Sequence, residues 1–326
     1  MVIRSQERQD PANRAVLLFS NAKEYFHLGD GAISAASLLF NTTRSMEPKE
    51  WEMNTLEPSF SEFERVGWSD EFTCQKYDQH FGAVTTQSVA AMLTAAGVSK
   101  GSRVLDVCTG AGYAAGLAAA RGAIATGVDF SQAQVELARE RYPAATFNQG
   151  DGTALSFPDQ TFDCVVNGIG IPHFSDPDAA IRESFRVLKR GGKFAFTVYD
   201  LPERAIGFGA VYRAIQTHGT MNIGLPQGPN FFLFSDPAES TKRLIAAGFD
   251  SVSVTTQPQI WRFSSMDEAF EALLNGSVRG AATLKGQGAQ ALEKIKAMIS
   301  EIFSDYKKGE YFEVPMPVVL ASAKKT

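Results

Sequence analysis

The stretch Val104-Leu105-Asp106-Val107-Cys108-Thr109-Gly110-Ala111-Gly112-Tyr113 decides the fold class of this chain. Its apolar first half is typical of a buried β-strand, and its glycines mark a turn that leads into a helix. Glycines let a ligand approach the backbone closely, and the N-terminus of a helix presents free N–H groups. With Ala115, the two glycines also form the G-x-G-x-x-A fingerprint of dinucleotide sites. The stretch therefore predicts a nucleotide-type ligand site.

Short apolar strands alternate with helices along the chain from this stretch onward. The predicted strands cover residues 104–107, 124–128, 145–148, 162–167, 193–198, 251–256 and 315–322. Strands that alternate with helices favour a doubly wound, Rossmann-like α/β fold with a mostly parallel sheet, here of seven strands. In such sheets ligands bind at the carboxyl ends of the strands.

Local signals predict where several helices begin and end. Ser131 and Gln134 have the spacing of a capping box, in which each side chain bonds the other's backbone N–H. Asp176-Pro177 predicts the start of a helix, with proline at its favoured first position, and Gly191-Gly192 its end.

We expect two parts in the chain. Residues 1–66 are predicted to be a helical N-terminal arm, packed on the main domain or serving as a lid or dimerisation element. Residues 67–326 are predicted to be the main domain, with substrate-side inserts at 201–236 and 257–310. A helix predicted at 289–306 carries a narrow apolar seam. The seam fits packing against the domain or a sister subunit, which leaves a homodimer open.

Composition excludes several classes of function. The net charge is −5 and no Lys/Arg-rich tract occurs, so we expect no nucleic-acid partner. The sequence contains no run of 18 apolar residues, so it predicts no membrane span. Three scattered cysteines favour a reducing, cytoplasmic location, and no metal-binding motif is present.

Three acidic residues, Asp106, Asp129 and Asp151, stand at the ends of three successive predicted strands or just beyond. The anionic pyrophosphate of a dinucleotide would be repelled by Asp106, which lies four residues before the first loop glycine. S-adenosylmethionine instead carries an ammonium and a sulfonium cation, which a carboxylate attracts. Asp129 is placed to accept the ribose hydroxyls, and Asp151 the adenine amino group. The three acids therefore favour S-adenosylmethionine, and an NAD(P)-dependent oxidoreductase remains the first alternative.

Four segments, in order and spacing, resemble class I S-adenosylmethionine-dependent methyltransferases, and most closely the small-molecule group that includes the ubiquinone and menaquinone type. The segments are VLDVCTGAG, GVDFSQAQVELAR, GDGTALSFPDQTFDCVVNGIGIPHF and RESFRVLKRGG. The resemblance is strong over about residues 68–200. It implies that the last strand is antiparallel, that S-adenosyl-L-methionine is the cofactor and that S-adenosyl-L-homocysteine is the product.

The same resemblance implies roles for individual residues. Gly110 and Gly112 match the glycines beside the methionine portion of the cofactor, Asp106 matches the acid that receives its ammonium, and Asp129 the ribose acid. The other positions matched to the cofactor site are Tyr77, Phe81, Cys108, Thr109, Phe130, Gln134, Asp151, Gly152, Thr153, Asn167 and Gly168. Cys108 replaces the first loop glycine of the family, so we expect a tighter loop in which its φ stays negative.

Methyl transfer to a hydroxyl or a carbon acid requires a base, whereas a neutral amine or a thiolate requires less help. The candidates are His173 after the fourth strand, His80 in the covering segment and Tyr199 at the end of the fifth strand; each also fits a structural role. Aromatic residues of the inserts are candidates for an apolar roof, namely Phe208, Tyr212, Phe231, Phe232, Phe234, Trp261 and Phe263.

The sequence therefore predicts an enzyme that moves a methyl group to O, N or C of a hydrophobic or aromatic small molecule by in-line displacement. A second alternative is an enzyme that retains the cofactor without transferring its methyl group.

Overall fold

A seven-stranded sheet forms the centre of the computed structural model, which describes residues 59–326. The strands of this part are β1 (Arg103–Val107), β2 (Ile124–Asp129), β3 (Thr146–Gln149), β4 (Phe162–Gly168), β5 (Leu188–Tyr199), β6 (Asp250–Gln257), β7 (Ile260–Phe263), β8 (Lys307–Lys308), β9 (Tyr311–Pro315) and β10 (Val318–Lys324). The order in the main sheet is β3-β2-β1-β4-β5-β10-β6. Strands β1 to β5 pair in parallel, and β10 is antiparallel to both β5 and β6. The predicted fold class is confirmed.

Helices lie along both faces of this sheet and beyond its carboxyl edge. They are α1 (Phe60–Ser69), α2 (Glu71–Thr85), α3 (Val89–Ala95), α4 (Tyr113–Ala120), α5 (Gln132–Arg141), α6 (Pro177–Val187), α7 (Ile206–His218), α8 (Pro237–Ala246), α9 (Met266–Asn275), α10 (Arg279–Lys285) and α11 (Ala289–Ser304). Helix α1 crosses the predicted boundary at residues 66 and 67. Residues 1–58 of the predicted arm lie outside the described part, so the domain division stays a prediction.

The central strands are buried on both faces, which is why their sequences read as continuous apolar runs. Val104 and Leu105 are both fully buried but belong to different core clusters, because successive side chains of a strand point to opposite faces. Phe194 and Phe196 of β5 pack on the same face as Leu105. The stacked layers fix the carboxyl ends of β1, β2 and β4 beside one another.

The predicted helix seam packs inside the chain. Ile295, Ile299 and Phe303 of α11 are fully buried in a core cluster that also contains Ala214 and Ile215 of α7. This seam is therefore occupied by the protein's own domain.

Two local predictions were wrong in detail. The Ser131 hydroxyl caps α5 by accepting the Gln134 N–H at 3.3 Å, but the second half of the capping box does not form. The carboxylate of Asp129 accepts the Ser131 N–H at 2.9 Å instead. Helix α6 ends at Val187 rather than at Gly191-Gly192, and the glycines lie in an irregular part of β5, where Gly191 has φ 82°.

The inserts hold more regular structure than the sequence predicted. The segment after β5 contains the 13-residue helix α7. Strands β7, β9 and β8 form a second, three-stranded antiparallel sheet, in which Ile260 pairs with Pro315. These strands have two to five residues each, too short for a periodic pattern to be detected.

Candidate active site

The glycine turn joins β1 to α4 in a geometry that requires its glycines. Gly110 and Gly112 have φ 52° and 85°, in the left-handed region. A Cβ at Gly112 would lie 2.9 Å from the Ala138 Cβ and 3.0 Å from the Phe147 ring, so a side chain does not fit there. A Cβ at Gly110 would meet no atom within 4 Å. The backbone of Gly110 therefore faces open space.

Asp106 lies behind this turn. It is 1% exposed, and its Oδ2 accepts hydrogen bonds from Thr109 Oγ1 at 2.7 Å and from the Ala115 N–H at 3.0 Å. Burial raises the pKa of Asp106 to about 7, although these two bonds act in the opposite direction. The carboxyl group thus ties the end of β1 to the first turn of α4. Its role toward an ammonium group stays a prediction.

Asp129 at the end of β2 holds two backbone segments in place. Its Oδ2 accepts the Gly110 N–H and its Oδ1 the Ser131 N–H, both at 2.9 Å. Burial raises the pKa of Asp129, and the two N–H bonds oppose this effect. A carboxylate has about four lone-pair sites. Asp129 therefore keeps the capacity to accept further hydrogen bonds from a ligand.

A small cavity of about 90 Å³ opens beside the turn. Eight of the predicted cofactor residues line it, namely Tyr77, Cys108, Thr109, Gly110, Asp129, Phe130, Gln134 and Gly168. Phe81 lines the larger neighbouring cavity instead. Asp106, Gly112, Asp151, Gly152, Thr153 and Asn167 line neither cavity.

Asn167 and Asp151 hold loops rather than facing the cavities. Asn167 donates to the Val107 carbonyl at 2.9 Å, and its Oδ1 accepts the N–H groups of Gly170 and Ile171 at 2.9 Å. The exposed Asp151 accepts the N–H and hydroxyl of Thr153, both at 2.7 Å.

The wall of the small cavity contains strained backbone and an unpartnered polar atom. Cys108 has φ 55°, so the expectation of a negative φ at this position was wrong, and Ile169 has φ 65°. Side chains rarely adopt this left-handed region, least of all β-branched ones. Gln134 is 5% exposed, and its Oε1 has no hydrogen-bond partner among the described residues. An acceptor is thus available in the wall of the cavity.

A larger cavity of about 300 Å³ adjoins the small one. Its aromatic lining includes Phe208, Tyr212, Phe231 and Phe232 from the first insert. The other candidate roof residues, Phe234, Trp261 and Phe263, are instead buried in the core. Tyr199 also lines the larger cavity, and its hydroxyl has no partner among residues 59–326.

Four residues line both cavities: Trp68, Tyr77, Ile169 and His173. His173 follows β4, and its Nδ1 lies 2.8 Å from Glu64 Oε2. Trp68 donates its indole N–H to the same oxygen at 2.9 Å. Sequence analysis missed Glu64 and Trp68. They belong to α1, which precedes His173 by more than 100 residues, so no local motif could indicate the contact.

Helix α2 covers the small cavity and is fastened from its outer side. Asp78 binds both Arg141 of α5 and the Tyr113 hydroxyl of α4. Burial alone would raise the pKa of Asp78, but these partners outweigh it and lower the pKa. The Tyr77 hydroxyl lies 2.9 Å from Thr85 Oγ1.

His80 lies apart from the two cavities. It sits near Lys76, Glu268 and Glu271, and burial lowers its pKa. Within residues 59–326, no group of three or more His, Cys, Asp or Glu side chains could hold a metal ion. None of the described helices is long and apolar enough to cross a membrane.

Residues 105–196 match the family model of a methyltransferase domain. This part of the chain is therefore similar to methyltransferase domains. The matched part runs from β1 to β5 and includes the glycine turn, Asp129 and His173. Helices α1 and α2 and the aromatic insert lie outside the match.

Curated relatives of the methyltransferase domain include two quinone methyltransferases. Demethylmenaquinone methyltransferase of Renibacterium salmoninarum is 35% identical over 111 residues, which are 34% of this chain and 47% of that protein. The 2-phytyl-1,4-naphtoquinone methyltransferase of Thermosynechococcus vestitus is 36% identical over 111 residues, which are 32% of this chain and 49% of that protein. The chain thus spans about half the length of these relatives.

Solved structures show the same fold. Phosphoethanolamine N-methyltransferase 2 of Haemonchus contortus, in complex with phosphomonomethylethanolamine and S-adenosylhomocysteine, has a TM-score of 0.51 at 21% identity. The match covers 82% of this chain and 60% of that one. A structure described as a methyltransferase of Bacillus halodurans has a TM-score of 0.50 at 20% identity. That match covers 73% of this chain and 99% of the other chain. At these identities the likeness extends to the fold alone.

Proposed function

We propose that this protein transfers a methyl group from S-adenosyl-L-methionine to a hydrophobic or aromatic small molecule. The observation that carries the proposal is the arrangement of two adjoining cavities with a shared wall at the carboxyl edge of the sheet. One is built from the glycine turn and strand-end polar groups, and the other is mainly aromatic. A donor and an acceptor in these cavities would meet beside Ile169 and His173.

The polar groups that line the small cavity suit those of S-adenosyl-L-methionine. The open face of Gly110 leaves room for the amino-acid portion, and the remaining lone pairs of Asp129 suit ribose hydroxyls. Gln134 Oε1, which no donor of residues 59–326 bonds, offers an acceptor to an N–H or O–H group. When bound, this cofactor supplies an electrophilic methyl group on a sulfonium.

The residues of the larger cavity suit a methyl acceptor that is mainly apolar and carries only a few polar groups. Its volume of about 300 Å³ is at the lower end for small-molecule sites, which suits one or two rings with a short substituent. Its polar groups include Glu64, His173 and the hydroxyl of Tyr199, which has no partner in the described part of the chain. The quinone methyltransferases among the relatives support a ring-bearing acceptor.

The protein's own contribution to the reaction would be alignment and exclusion of water. The strained backbone at Ile169 places an apolar side chain at the junction of the two cavities. Helices α1 and α2 cover the junction through Trp68 and Tyr77. His173 is the residue we place beside the acceptor.

Calorimetric titration and a radiolabelled methyl-transfer screen test this proposal. We expect S-adenosyl-L-methionine to bind and NAD(P) not to bind. Gly110→Ala should raise the Kd of S-adenosyl-L-methionine at least tenfold, which is about 1.4 kcal/mol, because its methyl group enters the ligand space.

The matched control is Gly101→Ala. Gly101 also has a positive φ of 83°, and a Cβ added there would meet no atom within 4 Å, but the residue lines neither cavity. The Kd of this variant should stay at the wild-type value. Binding of NAD(P) alone would support the oxidoreductase instead, and binding without any methylated product would support the enzyme that retains the methyl group.

We also propose a cytoplasmic location, which three free cysteines (Cys74, Cys108 and Cys164) support. The proposed partner is the small-molecule acceptor, without nucleic acid. A homodimer stays an open expectation that a sedimentation measurement decides.

A further inference from the structure

We propose that Glu64 holds His173 as a general base, and that the methyl acceptor is therefore a hydroxyl group on an aromatic ring. This inference rests on the proposed methyl transfer and adds to it the acceptor atom and a positioning residue. Glu64 reaches the site from α1, outside the matched methyltransferase domain.

The first step of the argument is the burial of Glu64. Its residue surface is 3% exposed, in the wall of a mainly aromatic cavity. A carboxylate in such surroundings needs hydrogen-bond donors. Its Oε2 has two, Trp68 Nε1 at 2.9 Å and His173 Nδ1 at 2.8 Å.

The second step concerns which nitrogen of His173 carries a proton. The indole N–H of Trp68 can only donate, and an ionised carboxylate can only accept. Glu64 therefore selects the His173 tautomer with a proton on Nδ1. The lone pair is then on Nε2, the nitrogen not bound to Glu64, in a residue that lines both cavities.

The third step concerns the orientation of the ring. The Trp68 ring packs edge-to-face on His173 with centroids 5.4 Å apart, and Phe231 contacts it from another side at 5.9 Å. The imidazole is thus fixed by one hydrogen bond and two aromatic contacts. A base that must meet one particular proton needs this fixed orientation.

Charged and titratable groups from several elements surround His173. Glu64 faces it from α1 and Asp129 from the end of β2. The other titratable residues that line the two cavities are Tyr77, Cys108, Tyr113, Tyr199, Tyr212 and the cation Arg279. A proton taken up by Nε2 would be stabilised by the two carboxylates.

The chemistry then balances for a hydroxyl acceptor. The O–H bond breaks and its proton moves to His173 Nε2. The oxygen electron pair forms the new bond to the methyl carbon, and the electron pair of the broken C–S bond stays on sulfur. A neutral amine has a free electron pair before methylation and needs no such base, so the Glu64–His173 pair indicates an acceptor that must lose a proton, a hydroxyl or a carbon acid. Of these two, we commit to the hydroxyl.

Three probes that differ only in the acceptor atom test the inference: 1-naphthol, 1-naphthylamine and 1-naphthalenethiol, each with S-adenosyl-L-methionine. We expect the wild-type protein to methylate the naphthol. Glu64→Gln should lower kcat for the naphthol about 10²-fold or more, and raising the pH should restore activity as the naphthol ionises in solution. The Kd of the cofactor should stay within about twofold of the wild-type value.

The matched control is Glu62→Gln, on the same helix. Glu62 is exposed and paired with Arg65. The kcat and the pH profile of the Glu62→Gln variant should therefore equal those of the wild type. A purely structural Glu64 would change KM or stability without changing the pH profile. That result overturns the inference, and so does a wild-type protein that methylates the amine or thiol but not the naphthol. Failure of S-adenosyl-L-methionine to bind would instead refute the proposed function itself.

Discussion

At Cys108 the chain places a side chain where the backbone is left-handed. The position follows β1 and has φ 55°, and a residue other than glycine in this region costs roughly 1–2 kcal/mol. Space for it comes from Gly170, where an added Cβ would lie 2.5 Å from the Cys108 Cβ. The glycine absent from the turn is thus matched by one in the loop after β4. Strain of this kind is found at ligand sites, and here it lies in the cavity wall.

Replacing Cys108 by glycine should therefore change stability little. The loss of a small, half-buried side chain and the added freedom of the unfolded chain together cost about 1–2 kcal/mol, and relief of the left-handed backbone offsets about the same amount. We expect a free energy of unfolding within about 1 kcal/mol of the wild-type value in urea titrations.

The control is Cys164→Gly in the central strand β4. Cys164 is buried, whereas Cys108 is half-buried, and Cys164 has no left-handed backbone to relieve. The free energy of unfolding of the Cys164→Gly variant should therefore fall by about 2 kcal/mol or more. Equal losses at both positions would show that φ at Cys108 carries no strain.

Among the helices and strands, those of the main sheet were the most predictable. The chain buries β1, β4 and β5 on both faces, and this burial appears in the sequence as apolar runs between turn residues. The second sheet could not be predicted, because Ile260 pairs with Pro315 more than 50 residues away. Pairing over such a distance leaves no signal in either short segment.

The same reasoning applies to the site. Residues in the glycine turn and at the strand ends could be predicted, because they follow periodic strands directly. The contact of Glu64 with His173 could not, since it depends on how α1 packs over the sheet edge. Gln134 was predicted for the cofactor site but also as half of a capping box. Asp129, which is nearer in the sequence, accepts the Ser131 N–H in its place.

The packing of α1 predicts the effect of one methyl group on that helix. Gly67 lies against Val278, and a Cβ at position 67 would overlap Cγ1 of Val278 and lie 2.6 Å from its Cγ2. Alanine is the better helix former by about 1 kcal/mol. The overlap should outweigh this gain, so we expect Gly67→Ala to destabilise the protein by about 1–3 kcal/mol in urea unfolding.

The double variant Gly67→Ala with Val278→Ala removes the overlap. Its destabilisation should be smaller than the sum of the single effects by about 1 kcal/mol or more. Val66→Ala on the exposed side of the same helix should leave stability within about 0.5 kcal/mol. Strict additivity of the two changes would mean that α1 does not pack on Val278 as described.

At the scale of the whole molecule, stability should depend on pH through its buried acids. Asp106 has a folded pKa of about 7 and an ordinary value of 3.8. Between these values the folded state keeps a proton that the unfolded state has lost, so the free energy of unfolding falls as pH rises. Two pH units in this window correspond to about 2.7 kcal/mol at most.

We therefore expect Asp106→Asn to be relatively more stable at pH 7 than at pH 5, when each measurement is compared with the wild type at the same pH. The amide oxygen can still accept the bonds from Thr109 and Ala115, and the amide does not ionise.

Asp163→Asn is the control. Burial acts to raise the pKa of Asp163, but its bonds to Lys189 and to the Arg103 N–H outweigh this and lower it. Its window lies below pH 4, so its effect should be the same at both pH values. His80 titrates alike in all three proteins and cancels in each difference. Urea unfolding at pH 5 and pH 7 measures these differences, and a pH-independent effect of Asp106→Asn would contradict a proton held by Asp106 in the folded state.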